Sequence, residues 1–184
     1  MFNLNKHPVT LSHLNLRTET HGDIEVTMID LKLTFETGNL LLEDLDSHLR
    51  VSFYRGDDDP DLLGVDAGHT PHLRYPALGL LRWGGDYTID LTMHLGSRKK
   101  DDVTFADVKL NKLTLDPKEG GTVSISMRAQ FAPTEDQIAK LAMLLHHEVR
   151  MSLVVLEEES RPAPQPDPDD DDQDEHEDEA AMSS

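Results

Sequence analysis

The chain has 184 residues, no cysteine and a formal net charge of −19, so it offers no disulfide, no thiolate metal site and no cysteine nucleophile. Thirteen carboxylates against the single Arg161 in residues 157–184 supply −12 of that charge and leave −7 on residues 1–156. That balance argues against tight, non-specific coating of DNA, whose affinity comes from Lys and Arg displacing counterions at phosphates.

Residues 9–20 and 23–35 are rich in leucine and β-branched residues and flank His21-Gly22, where glycine supplies the positive φ of a tight turn; they predict a hairpin. The alternation slips once in each strand. Val9 and Leu11 give way to Leu14 and Leu16, while Ile24, Val26 and Met28 give way to Ile29, Leu31, Leu33 and Phe35. With His21-Gly22 as a two-residue turn, Thr20 faces Asp23, Leu14 faces Ile29, and the two slips coincide in space. Such coincidence predicts either a bulged, twisted ribbon at a sandwich or barrel corner or a ribbon partly buried on both faces.

Leu41, Leu45, Leu49 and Phe53 then recur every four residues, with Asn39 as N-cap and Gly56 as stop, which predicts a helix broken at Asp46-Ser47. Residues 56–80 are rich in Gly, Asp and Pro without a sustained period and predict a long loop. Asp57, Asp59 and Asp61 imitate the start of a calcium loop, but Leu62 stands where glycine is needed and Gly68 where a bidentate Glu is needed.

Tyr87, Ile89, Leu91, Met93 and Leu95 alternate with Thr88, Asp90, Thr92 and His94, which predicts a half-buried strand with His94 on its exposed face. Residues 103–131 give the clearest hairpin: a parity change between Phe105 and Val108, a turn at 116–121, and clean alternation from Val123 to Phe131. After Pro133, Thr134 and Gln137 form a capping box, Ile138, Leu141, Ala142 and Leu145 make an apolar stripe, and His146 and His147 lie as cations by the C-terminal end. Val149, Met151, Leu153 and Val155 predict a final strand.

The fold class expected is α+β, mainly antiparallel β, sandwich- or barrel-like with about six to eight strands and two helices. One domain covers residues 1–156, and residues 157–184, Pro-rich and then acidic, form a tail with almost nothing to bury, predicted to be disordered.

The chain lacks a Gly-rich phosphate loop, a Gly-x-Ser-x-Gly elbow and a His-Glu-x-x-His pair. His69-Thr70-Pro71-His72 holds the closest spaced histidine pair, and the adjacent His146-His147, about 100° apart on a helix, does not chelate as a facing pair would. No catalytic residue, metal or cofactor is expected. Residues 71–100 hold Arg74, Arg82, Arg98, Lys99 and Lys100 against only Asp86 and Asp90, interleaved with Tyr75, Trp83 and Tyr87. A basic groove with aromatic platforms is how single strands are held, so Arg74, Tyr75, Arg82, Trp83, Arg98, Lys99 and Lys100 are the candidate nucleic-acid contacts; Tyr87 falls in the apolar phase. In the tail, Asp169, Asp170, Asp171, Asp172, Asp174, Glu175, Glu177, Asp178 and Glu179 are the candidate interaction residues.

An acidic tail on a small β domain resembles the architecture of single-stranded-DNA-binding proteins. The resemblance implies a tail that competes with DNA and recruits partner enzymes, although this chain ends Glu179-Ala180-Ala181-Met182-Ser183-Ser184 where those tails carry an apolar tip. The segments Leu14-Asn15-Leu16-Arg17-Thr18-Glu19-Thr20-His21-Gly22-Asp23, Asp30-Leu31-Lys32 and Pro117-Lys118-Glu119-Gly120-Gly121-Thr122-Val123 resemble uncharacterised proteins of tailed phages and prophages. That implies a phage context and transfers no catalytic residues.

The expectation is therefore a non-enzymatic phage-type binding protein, a single-stranded-DNA-binding or recombination accessory module regulated by its tail. Alternatives are a protein-binding inhibitor or adaptor of DNA-mimic or anti-defence type, and a virion structural or assembly protein. Single-stranded DNA or a DNA-metabolism protein is the expected partner, with a homo-oligomer left open. No run of about 18 apolar residues spans a bilayer, and the N-terminus through Pro8 lacks the apolar region of a signal peptide, so no membrane association and a cytoplasmic location are expected.

Overall fold

The computed structural model describes residues 2–56, 70–96 and 98–159. The Asp57–Asp61 run, His69 and the tail carboxylates from Asp167 onward lie outside these residues. The elements are β1 (Leu4–His21), β2 (Ile24–Gly38), α1 (Leu41–Leu45), α2 (Leu49–Phe53), β3 (Tyr54–Arg55), β4 (His72–Leu73), β5 (Leu81–Trp83), β6 (Asp86–His94), a 3₁₀ turn (Lys99–Asp101), β7 (Val103–Lys118), β8 (Thr122–Phe131), α3 (Glu135–Leu144) and β9 (Glu148–Glu159).

Six antiparallel strands close a barrel in the order β7-β6-β9-β1-β2-β8, with β8 returning to β7. Of the two architectures the alternation allowed, the barrel is the one formed. Closure leaves its central strands without unpaired edges. β5 pairs with β7 at Leu113–Leu115, just beyond the stretch where β6 pairs with it. No helix among the described residues is long and apolar enough to cross a membrane.

The two-residue period fills the interior. Leu31 and Leu33 from β2, Ile89 and Leu91 from β6, Leu110 and Leu113 from β7, Ile125 and Met127 from β8, and Met151 and Leu153 from β9 are all buried. Each such side chain contributes about 1.5–3 kcal/mol by leaving water. Tyr87 is buried among them, as its phase predicts. The parity change between Phe105 and Val108 is a bulge at which Asp107 takes φ 52°. The capping box of α3 is complete: Gln137 N donates to Thr134 Oγ1 at 3.3 Å, and Thr134 N to Gln137 Oε1 at 2.8 Å.

Several local expectations are corrected. The first turn is Gly22-Asp23, with Gly22 at φ 65° in the first loop position where a primed turn needs it. His21 therefore pairs with Ile24, and Leu14 faces Leu31 rather than Ile29. The slips do not coincide: that of β1 is a bulge between Leu11 and His13, while that of β2 marks where the ribbon leaves the barrel, since β8 pairs with β2 only from Ile29 onward.

The broken helix is two short helices, with His48 N bonded to Asp46 Oδ1 at 2.7 Å across the break. Asn39 is not their N-cap. Its buried carboxamide turns inward, donating to Thr70 O at 2.7 Å and accepting from Arg50 Nε at 3.2 Å. Gly56 is not the stop, because extended backbone at Tyr54 ends α2. β9 continues to Glu159, three residues past the expected boundary at Leu156, pairing there with Asp86.

A candidate nucleic-acid interface on the barrel's outer face

Alternation that turns aliphatic side chains inward turns the intervening residues outward. Across β1, β2, β8, β7 and β5 this places His13, Lys32, Arg128, Lys112 and Arg82 along one groove of about 860 Å³, with Trp83 and Leu80 at its β5 side. Among the described residues, Asp30 is the only carboxylate lining it. Five strands at their usual spacing make a crossing of about 19 Å. Among the described residues, Lys32, Arg82 and Lys112 enter no ion pair.

A relay of side chains stiffens the floor. Arg128 Nε donates to Asn111 Oδ1 at 2.8 Å, Asn111 Nδ2 to Gln130 Oε1 at 2.9 Å, and Gln130 Nε2 to Asp30 Oδ1 at 2.5 Å. Arg17 Nε closes the series 3.3 Å from Asp30 Oδ2, and Arg17 also pairs with Glu19. Each amide thus has its carbonyl toward a cation and its N–H toward the anion, so the dipoles reinforce one another. Burial alone raises the Asp30 carboxyl, but the Gln130 hydrogen bond and the Arg17 and Arg128 guanidinium groups outweigh it and hold the group below the ordinary carboxylate value.

Lys112 enters the groove through a second bulge in β7. Asn111 pairs with Arg128 and Thr114 with Ser126, so one extra residue sits between them, and Lys112 takes φ 51°. The bulge sends Asn111 and Lys112 to the same outer face. Trp83 packs its inner side against the core and donates from Nε1 to the Tyr87 hydroxyl at 3.2 Å. Gly85, at φ 130°, permits this arrangement, since a Cβ there would lie 2.8 Å from that hydroxyl. Past Leu80, Thr114 and Ser126 the surface changes character, and a recess of about 480 Å³ carries Glu36, Asp116 and Glu148. The basic groove is bounded by acid at that end.

Of the residues expected from sequence, Arg82 and Trp83 come together here. Arg74 instead ties down the end of α2, its Nε donating to Val51 O at 2.8 Å and Tyr54 O at 3.0 Å. Tyr75 is exposed beside Phe53, Leu78 and Pro117, outside the groove. Arg98, 3.3 Å from Asp101, immediately precedes the 3₁₀ turn that holds Lys99 and Lys100. The nine residues of β6 separate that turn from Trp83, about 27 Å of extended chain, so residues 71–100 do not form one face. His13, Lys32, Lys112 and Arg128 went unread because each stands on a different stretch of chain. The available signal for Lys112 is the three-residue step from Leu110 to Leu113 inside a strand.

A second cluster lies on the outer face of β6 and β9. His94, expected to be exposed, has a side chain only 15% accessible and is hydrogen-bonded at both nitrogens, to Asp102 and Ser152. Among the described residues no group of three His, Asp or Glu side chains gathers as a metal would require. Comparisons of the chain with protein-family models, curated proteins and solved structures find no match.

Proposed function

We propose that the protein binds single-stranded nucleic acid across the outer face of the barrel, as a DNA-metabolism accessory of the kind a tailed phage carries. The observation that carries this reading is the concentration of Lys32, Arg82, Lys112 and Arg128 around one groove of a chain whose net charge is −19. An acidic protein gains nothing in solubility by gathering cations, whereas a strand of phosphates is attracted to them. Trp83 supplies the stacking platform at the groove's β5 side, and base–aromatic stacking is sequence-tolerant. The acidic segment beyond Glu159 acts as a competitor for the same cations.

Trp83 is the only tryptophan, so its fluorescence reports on the groove directly. Titration of the full-length protein with oligo(dT) at low salt is expected to quench it. Four phosphate contacts on a single strand predict a slope of log K against log salt of about −2.8. Absence of both quenching and a gel shift, with and without residues 160–184, rejects the reading.

A further inference from the structure

Three residues from three different elements or connections converge on the outer face of β6 and β9, away from the groove. His94 ends β6, Asp102 immediately precedes β7, and Ser152 lies within β9 opposite Thr92. His94 Nδ1 is 2.9 Å from Asp102 Oδ2, and His94 Nε2 is 2.8 Å from Ser152 Oγ.

A fourth group sets the direction of this chain. The backbone N–H of Lys6 donates to Ser152 Oγ at 3.1 Å, leaving the serine's own proton to point at His94 Nε2. An ionised carboxylate only accepts, so the Nδ1 proton of a neutral imidazole points at Asp102. Both ends therefore select the same tautomer, with a lone pair at Nε2 facing the hydroxyl. Lys6 reaches Ser152 from a strained position, at φ 48° in the bulge between Leu4 and His7 where the β1–β9 register shifts. Non-glycine residues held in that region are strained and cluster at functional sites.

We infer that Ser152 is a nucleophile with His94 as its general base and Asp102 orienting the imidazole, and that it accepts acyl groups from small activated esters. Ser152 is half-buried, the side chains of His94 and Asp102 more so, which restricts the donor to an unhindered carbonyl. In the first step Ser152 Oγ bonds to the carbonyl carbon as its proton moves to His94 Nε2. The carbon–oxygen bond to the leaving group then breaks, and that oxygen takes the proton from Nε2. Water attacks the acyl-serine, gives its proton to Nε2, and the departing serine oxygen recovers it. Arg150, two residues earlier on the same face and opposite His94, is the cation available to the developing oxyanion.

The test uses full-length protein, a fluorophosphonate probe and, separately, p-nitrophenyl acetate, with adducts mapped by mass spectrometry. The expected result is an adduct on Ser152 that forms at least about 100-fold more slowly in His94→Gln and is absent from Ser152→Ala. Because Ser152 lies outside the groove, Ser152→Ala is expected to bind oligo(dT) normally, so this inference and the proposed function fail independently. Absence of an adduct on Ser152 in the wild-type protein overturns the inference without recourse to any variant. If His94→Gln unfolds, native and urea-unfolded wild type are compared instead. Loss of labelling on unfolding supports activation by neighbours; equal labelling overturns it.

Discussion

Lys112 holds a backbone conformation, φ 51°, that costs a non-glycine residue about 1–2 kcal/mol. Glycine adopts it without that cost and gives back about 0.5–1 kcal/mol in unfolded-chain entropy. Lys112→Gly is therefore expected to stabilise the fold by up to about 1 kcal/mol while weakening oligo(dT) binding and making the salt slope shallower by about 0.7. Urea denaturation and fluorescence titration of the same variant check both halves; a variant that gains stability and keeps its affinity removes Lys112 from the interface.

Tyr54 makes a purely structural counterpart. Its buried hydroxyl accepts from Lys118 N at 3.0 Å and sits 2.8 Å from Thr122 O, pinning β3 to the turn end of the β7–β8 hairpin. Burial, opposed by the Lys118 N–H and reinforced by Glu119 and Asp116, pushes the phenol up to about 12. A folded value above the unfolded one means that this stability is complete below about pH 10 and drains away as pH rises toward about 12, by roughly 2–3 kcal/mol. Tyr54→Phe is expected to cost about 1–3 kcal/mol at neutral pH by orphaning the backbone groups, and to lose most of that alkaline dependence in urea midpoints taken at neutral and alkaline pH.

The four outer-face strands act as one element through the Arg17–Asp30–Gln130–Asn111–Arg128 relay. Asp30 is its only anion, and because its carboxyl is held below the ordinary value of 3.8, it stabilises the fold at neutral pH and ceases to do so as pH falls through and below that value. Asp30→Asn is expected to lower stability by about 1–2 kcal/mol at pH 7, with the gap to wild type closing in acid. The same change removes the carboxylate lining the groove, so under the proposed function oligo(dT) affinity is expected to rise even as stability falls. Opposite signs in the two measurements identify a carboxylate that serves the scaffold at the expense of binding.

This relay also marks the reach of local sequence patterns. The alternation of β6 and the capping box of α3 are decided by neighbours within a few residues, and both are legible in the amino-acid sequence alone. The bond from Gln130 to Asp30 spans 100 positions and depends on β2 and β8 becoming neighbours, which no local period encodes. Lys32 and Arg128 are turned outward by their phase and Lys112 by its bulge; what is missing is which outward residues share a face. The turn at Gly22-Asp23 fails for a smaller reason. Either pair around Gly22 closes a two-residue loop, and the choice between them decides which residues of β1 and β2 face each other.

For the whole molecule the governing quantity is the separation of charge. Residues 160–184 carry ten carboxylates and Arg161, and their removal takes the net charge from −19 to −10. Under the proposed function, such a segment is expected to act on binding in two ways. It would raise the work of bringing a polyanion near, and it would compete for Lys32, Arg82, Lys112 and Arg128 at a high effective concentration. Both effects are ionic and shrink as the screening length falls from about 30 Å at 0.01 M salt to about 8 Å at 0.15 M. Deleting residues 160–184 is thus expected to tighten oligo(dT) binding most at low salt, with the curves for full-length and truncated protein converging as salt rises. The deletion begins beyond the Asp86–Glu159 pairing, so the melting temperature is expected to change little. A constant offset between the curves at all salt concentrations points instead to contacts that are not electrostatic. Weaker binding after deletion means that the acidic segment recruits its ligand and does not compete with it.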